Sequence, residues 1–595
     1  MGGSAIPTIA RFGSFELHLN TGELRKSGIR VRLPDQPFQI LALLIDKPGE
    51  VVSREQLRQK LWSDDTFVDF ERGLNRAVNK LREALCDSAE VPRFIETVPR
   101  RGYRFLMPVT FAGRPGTASE TTAPRSIAIL PFTNDSGMSD ADYLGDGIAE
   151  SLIYRFAELP SLRVMARITA FQYRKTPLDA QTIGRELNVD SIVTGRLMLR
   201  GQSLIISAEL VDVRDGSLLW GEQYTRPLAD LFAVQDEMSA AIFDKLRLTL
   251  TKQQLDRVQK RPTSSLEAHH LYLRGVFNWN KRELDAVRKA VECFQQAQAA
   301  DPGYALAHSG LADCFAVLSI FPYCYIAPSE AMPRAKAAAQ RALEIDPDLA
   351  EAHTTLGLVN LVYERDFEES EARFRRAQDL KPSYPTAHLW HCLHCIATGR
   401  IDEAHEEARK THEFDPLSPI GSTLPAIVNF YDRQYERAVE RLRPVATLEP
   451  SYPMVHLFTG YAECAVKRPE RAIAAFSNAL KLSPADSPSV VALSRLGYAY
   501  GLAGETEKAL AILQQLDEMR RREWIPAHAR LFVRLGLKQF KEALDALDEM
   551  IEERSDYLIY MAPHQAFDVL RDEPRFVAAM RKVHEKLPAR KHAQA

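Results

Sequence analysis

The residues best suited to chemistry lie between Glu71 and Phe105. In Glu71–Leu85, the residues Leu74, Val78, Leu81 and Leu85 recur 3 or 4 apart, which predicts an amphipathic helix with one apolar stripe. At about 100° per residue, Arg72, Arg76, Asn79 and Glu83 fall opposite that stripe, with Lys80 and Arg82 on its flanks. Further on, Phe94–Val98 and Tyr103–Phe105 read as two short strands joined through Pro99, Arg100, Arg101 and Gly102. The chemistry open to such groups is recognition of a polyanion. Asn79 can pair with adenine in bidentate fashion, Arg76 or Lys80 can contact guanine, and an arginine-tipped hairpin fits a minor groove. A solvated helix face beside an ordinary hairpin is the bland alternative, and the elements around them decide between the two.

Those elements come in a telling order. Phe15–Leu19, Glu23–Lys26 and Ile29–Leu33 are β-type runs separated by turn residues, so a small antiparallel sheet is expected. An apolar helix near Gln36–Asp46 follows, closed by Pro48 and Gly49. Ser53 and Gln56 form a capping box for a second helix that buries Leu57 and Leu61 and ends at Trp62. A polar loop, Ser63–Asp69, leads into the Glu71–Leu85 helix. Sheet, helix, helix, loop, helix, hairpin is the order of a winged helix-turn-helix.

Residues 10–108 resemble the OmpR/PhoB-type DNA-binding domain of bacterial response regulators. The resemblance is carried by Val52-Ser-Arg-Glu-Gln-Leu57, Asn75–Leu85 and Thr97-Val-Pro-Arg-Arg-Gly-Tyr-Arg-Phe105. The Val-Pro-Arg-Arg-Gly-Tyr wing looks most like CadC-type one-component regulators. The resemblance implies that Arg72, Arg76, Asn79, Lys80 and Arg82 lie along a major groove. It places Arg100, Arg101 and Arg104 on or beside the wing, and Trp62–Phe70 where RNA polymerase is touched. Double-stranded DNA is the implied partner, with a homodimer on DNA as one arrangement. Glu83, on the same helical face, would mark the edge of the footprint.

Residues 111–125, rich in Gly, Pro, Ser and Thr, read as a linker. Residues 126–255 read as a compact α/β domain. The expected strands are Ser126–Phe132, Arg163–Ala166, Ser191–Leu199, Leu204–Val213 and Leu218–Tyr224; the expected helices are Tyr143–Leu159, Asp179–Leu187 and Leu228–Leu250. Ile127-Ala-Ile-Leu-Pro-Phe132, Tyr143-Leu-Gly-Asp-Gly-Ile148, Gly195-Arg196, Leu219-Trp-Gly-Glu-Gln-Tyr224 and Asp230-Leu-Phe-Ala-Val-Gln-Asp236 resemble the TolB-amino-terminal-like domain. Gly145-Asp-Gly147 lacks the Lys-Ser/Thr of a P-loop, so a structural helix start is expected there.

Residues 265–595 carry a repeat. Pro302, Pro347, Pro382, Pro416, Pro450 and Pro484 are separated by 45, 35, 34, 34 and 34 residues, and 34 is the period of the tetratricopeptide (TPR) helix pair. Gly460, Ala472, Phe476 and Ala479 mark one unit, Gly275, Ala290, Phe294 and Ala297 another, and Gly357, Phe374 and Ala377 a third. About eight units are expected, with an insertion around Phe321–Pro333 and a closing helix at the end. Stacked units form an all-α superhelical solenoid whose concave face takes a protein or peptide; packing of some repeats on the α/β domain is the alternative. His388, His391, Cys392, His394 and Cys395 tempt a zinc reading, but residues 391, 392 and 395 fall at core positions of a repeat, so no metal, cofactor or catalytic residue is expected.

Composition bounds the rest. A chain of 595 residues needs several domains. The net charge of −3 gives no overall attraction for nucleic acid, and residues 1–110 hold 17 Lys and Arg against 14 Asp and Glu, so the arrangement of charge matters more than its sum. Seven scattered cysteines suit reduced thiols. There is no signal-peptide pattern and no apolar run of the roughly 18 residues a membrane helix needs. The reading is a cytoplasmic transcription regulator, not an enzyme: residues 1–110 bind promoter DNA, and residues 126–255 and 265–595 exert control. Two rivals stay open, a TPR scaffold without sequence-specific DNA binding and a nucleotide or small-ligand sensor in residues 126–255.

Overall fold

The computed structural model describes residues 9–12, 15–19, 21–26, 29–31, 33–47, 49, 51–61, 70–85, 87, 92, 94–98, 101–107, 110–112, 126–136, 142–159, 161–174, 176, 178–201, 203–246, 261–281, 284–484 and 488–587. They form two compact units, Met1–Thr122 and Ala123–Ala595.

In the first unit, β1 (Ile9–Phe12), β2 (Phe15–His18), β3 (Glu23–Lys26), β4 (Ile29–Val31) and β8 (Thr110–Ala112) make an antiparallel sheet in the order β4-β3-β2-β1-β8. The strand β8 carries the sheet to Ala112, past the expected boundary at residue 110. Helices α1 (Asp35–Asp46), α2 (Arg54–Leu61) and α3 (Phe70–Leu85) share one core with this sheet and a second, smaller one. That sheet has β5 (Val51–Ser53), β6 (Ile95–Val98) and β7 (Gly102–Phe105) in the order β5-β7-β6. The capping box forms as expected: the Gln56 amide donates to Ser53 Oγ (3.1 Å), and the Ser53 amide donates to Gln56 Oε1 (2.8 Å). Three-residue β5 and β8 are too short to show an alternating pattern, and neither was expected. The linker 113–125 and the loop Ser63–Asp69 lie outside the described residues.

The second unit joins the α/β domain and the helical array into one body. Its sheet runs β11-β9-β12-β13-β14, with β9 (Ser126–Ile129), β11 (Arg163–Val164), β12 (Ser191–Arg200), β13 (Ser203–Asp212) and β14 (Leu218–Pro227); β10 (Thr133–Asn134) pairs with β12. The strands β9, β11 and β12 are parallel, and β12, β13 and β14 are antiparallel. Helices α4 (Asp142–Ala157), α5 (Arg167–Phe171), α6 (Ala180–Glu186) and α7 (Leu231–Lys245) complete the domain. Gly145 and Gly147 sit inside α4 rather than ahead of it. A Cβ on Gly145 would meet the Phe132 carbonyl at 2.3 Å and one on Gly147 the Leu273 side chain at 2.3 Å. Asp146 between them is buried and paired with Arg174. These glycines serve close packing.

Among the described residues the array holds eight helix pairs: 266–279/284–300, 305–318/328–345, 350–359/367–380, 385–397/401–414, 419–431/435–448, 453–465/469–481, 490–502/506–520 and 527–536/540–552. The repeat signal has a direct physical cause. Gly275, Gly357 and Gly460 face the rings of Phe294, Phe374 and Phe476 so closely that an added Cβ would lie 2.4–2.7 Å from the ring. The expected insertion is real, and lengthens the second pair's connection through Ser319–Ala327.

The face lined by the first helices, the concave one in stacked arrays, is expected to be open for a peptide. From the fourth pair onward it is filled by the chain's own residues 556–584. The His564 ring lies 4.9 Å from Phe430 and 4.8 Å from Tyr461, Phe567 lies 5.4 Å from Phe532, and Asp568 takes both terminal nitrogens of Arg433 (2.7 and 2.9 Å). The α/β domain docks on the turns between repeats: Thr169 donates through its amide and hydroxyl to Asp415 (3.1 and 2.7 Å), and the Lys381 ammonium sits 3.3 Å from the centre of the Tyr154 ring.

Candidate nucleic-acid interface

On α3 the apolar stripe is buried as Leu74, Ala77, Val78, Leu81 and Leu85, packed against α1 and the two sheets. The opposite face exposes Asn75, Arg76, Asn79, Lys80 and Glu83. Spacings of 3 and 4 put Arg76, Asn79, Lys80 and Glu83 on one side of the helix. Of Arg72 only the backbone, inside α3, is described.

Arg82 is a correction. It is 6% exposed, and its guanidinium donates to the Ile95 carbonyl (2.9 Å) and to Thr97 Oγ1 (2.8 Å) on β6. The helical wheel places position 82 on the flank of the stripe, where β6 passes; the aliphatic stem is buried and the charged head meets backbone and hydroxyl acceptors. Arg82 therefore braces the wing against α3 and is not free to meet DNA.

On the wing, Arg101 is exposed at the turn and its amide donates to the Val98 carbonyl (3.1 Å). Arg104 is half-buried and pairs with Glu96 (3.5 Å), which stands opposite it in the β6–β7 register. Arg100 lies outside the described residues, as does Ser63–Asp69 of the loop assigned to polymerase. Gly102 must be glycine: a Cβ there would fall 2.0 Å from the Val52 carbonyl on β5. This approach draws the wing onto α2, where the Arg54 amide donates to the Arg101 carbonyl (3.2 Å).

A second brace joins the same three pieces. The Tyr103 hydroxyl on β7 donates to Asn75 Oδ1 on α3 (2.9 Å) and accepts from Arg54 on α2 (3.3 Å). The Arg54 guanidinium also lies 5.3 Å from the Tyr103 ring centre. Arg54, Asn75 and Tyr103 stand in the motifs that carry the family resemblance, yet no role was assigned to them, because contacts 21 to 49 residues apart leave no periodic trace. The whole is a cationic helix face and an exposed wing arginine, held at a fixed spacing by Arg82 and Tyr103. Such a pair can grip a major groove and the minor groove beside it.

The histidine and cysteine cluster of the array is engaged otherwise. His388 meets Glu407 at 2.6 Å, and His391 lies 3.0 Å from Glu371 and 3.6 Å from Glu407. Despite burial, contacts with Cys395 and with the Glu371 and Glu407 carboxylates push the His391 imidazolium up to a pKa of about 11, and Glu371 falls well below the usual carboxylate range through His391 and Arg400. Cys392 and Cys395 are buried thiols outside any disulfide: Cys392 donates to the Ala404 carbonyl (3.3 Å) and Cys395 contacts His391. Cys293, Cys324 and Cys464 are free thiols as well.

Comparison with known proteins agrees with this geometry. Residues 28–105 match the family of transcriptional regulatory protein C-terminal domains. Residues 123–240 match the second domain of HilA/YgeH-like transcriptional regulators, and residues 426–487 match a tetratricopeptide repeat family. The chain is 23% identical over 435 residues to the transcriptional regulator HilA of Salmonella typhimurium, covering 72% of this chain and 74% of HilA. It is 33% identical over 253 residues to a putative adenylate cyclase 3 of Rhizobium meliloti, 42% of each chain. It is 37% identical over 98 residues to the phosphate regulon regulator PhoB of Rhizobium meliloti, 16% of this chain and 42% of PhoB. The chain thus spans less than half the length of two of these relatives. Among the described residues no helix is long and apolar enough to cross a membrane.

Proposed function

We propose that the chain is a transcription regulator that binds promoter DNA through α3 and the wing, under the control of its α/β and TPR parts. The observation that carries the reading is the exposed row Arg76, Asn79 and Lys80 on α3, braced by Arg82 to the strand that leads to Arg101. In this reading Arg76, Lys80, Arg101 and Arg72 neutralise phosphate or read guanine, and Asn79 reads adenine. Arg100 and the loop Trp62–Phe70 keep their family roles, minor-groove entry and polymerase contact. The chain works in the cytoplasm, where DNA is, and it performs no catalysis of its own. A homodimer suits paired half-sites.

The α/β domain is anchored to the array through Thr169, Asp415, Tyr154 and Lys381, so a protein partner that shifts the array shifts the α/β domain with it. The partner reaches the array over surface that residues 556–584 leave uncovered, or by displacing them. Selection of the full chain against a random duplex library tests the proposal. Enrichment of one sequence, with preference relaxed at one base pair in Asn79→Ala, supports it; recovery of no sequence at low salt sinks it.

A further inference from the structure

Among the described residues, one trio brings metal-ligand atoms within 4.8 Å of one another: Cys324, His528 and Asp556, all buried. They come from three separate segments. Cys324 lies in the insertion of the second helix pair, His528 in the first helix of the eighth pair, and Asp556 in the turn that follows that pair. Cys324 Sγ and His528 Nε2 are 3.7 Å apart. Two ligands of a tetrahedral zinc ion, at about 2.3 and 2.05 Å, stand about 3.6 Å apart.

The geometry points to a divalent-metal site of the zinc type, with Cys324, His528 and Asp556 as protein ligands and the fourth position open to water. Binding displaces the Cys324 proton; the thiolate, Asp556 and the nearby Glu553 then stand against one guanidinium, Arg495, which is wholly buried. A dication neutralises that set. Arg495 tolerates a cation beside it because it is held elsewhere: it donates to the Tyr461 hydroxyl (2.6 Å) and to Ser494 Oγ (2.8 Å), and it lies 3.7 Å from the Phe532 ring centre. His528 Nδ1 accepts from Arg495 (3.2 Å), so metal on Nε2 moves the ring proton to Nδ1 and requires the Arg495 Nη1 group to turn from it. Asp556 Oδ2 accepts from the Phe321 amide (2.7 Å), a contact that holds the insertion in place and orients the carboxylate.

The ion would clip the second repeat to the last, across 204 residues of chain between Cys324 and His528. The clip fastens the insertion and the turn from which residues 556–584 begin. Affinity falls on acidification, because binding displaces the thiol proton.

The test uses the full chain, stripped with a chelator and titrated with cobalt(II). The site predicts one equivalent bound, with a thiolate-to-cobalt charge-transfer band in the near ultraviolet. Cys324→Ser abolishes the band and weakens zinc binding roughly 100-fold or more; the isosteric Asp556→Asn keeps the band and weakens binding. A helical, folded wild-type chain without that band overturns the proposal. So does a band that survives Cys324→Ser and disappears in a Cys392→Ser, Cys395→Ser double variant.

Discussion

The Arg82 guanidinium on α3 donates to the Ile95 carbonyl on β6 across 2.9 Å. A residue whose type suggests a DNA contact is instead the strut that sets the distance between helix and wing. Replacing it with Met leaves a buried carbonyl without its donor, at a cost of about 1–3 kcal/mol of stability. DNA affinity falls with it, but the dependence on salt stays the same, because Arg82 neutralises no phosphate. Urea unfolding and a salt series on one duplex separate the two effects; a shallower salt slope would return Arg82 to the DNA.

Arg76 and Lys80 behave in the opposite way. Each change to Ala leaves stability within about 0.5 kcal/mol, as surface substitutions do. Where the residue meets phosphate, it lowers the steepness of log K against log salt by about 1. Asn79→Ala costs about 1–3 kcal/mol on the preferred sequence and relaxes preference at one base pair. Equal losses on all sequences would mean that Asn79 reads no base.

Tyr103→Phe removes the hydroxyl shared by Asn75 and Arg54 while keeping the ring in the core. The expected loss is about 1 kcal/mol of stability in the DNA-binding unit, together with weaker binding on every sequence. Fluorescence-monitored unfolding beside a binding assay checks both. Unchanged affinity would show that this brace does not set the recognition geometry.

Asp415 joins the array to Thr169, and burial lifts its pKa from 3.8 to about 6. A folded value above the unfolded one favours the protonated, folded state, so the contribution is full below about pH 3.8 and is lost as pH rises through about 6. Between pH 5.5 and 7.5, Asp415→Asn should therefore remove about 1 kcal/mol of pH-dependent stability relative to wild type. Paired unfolding curves at the two pH values measure the difference. Identical pH dependence in the two proteins would place the Asp415 carboxyl in water.

Legibility in the sequence followed the range of each interaction. The α3 stripe, the Ser53–Gln56 capping box, the wing strands and the 34-residue proline spacing are local or periodic, and each is present in the fold. Burial of Arg82 was not legible, because a polar residue on the flank of a stripe looks the same whether it meets water or a buried carbonyl. The filled face was missed for another reason. His564, Phe567 and Asp568 resemble a closing helix in sequence, and only packing against Phe430, Phe532 and Arg433 reveals what they cover. The trio Cys324, His528 and Asp556 has no spacing at all that a motif could register.

The most direct measurement of the account is the salt dependence of full-length chain binding to its selected duplex, with Arg76→Ala and Arg101→Ala alongside. With about six cations on phosphate, log K should fall against log salt with a slope of about −5. Each variant should be about one unit shallower. A slope near zero, or one that neither variant changes, would contradict a grip on duplex DNA by the α3 face and the wing.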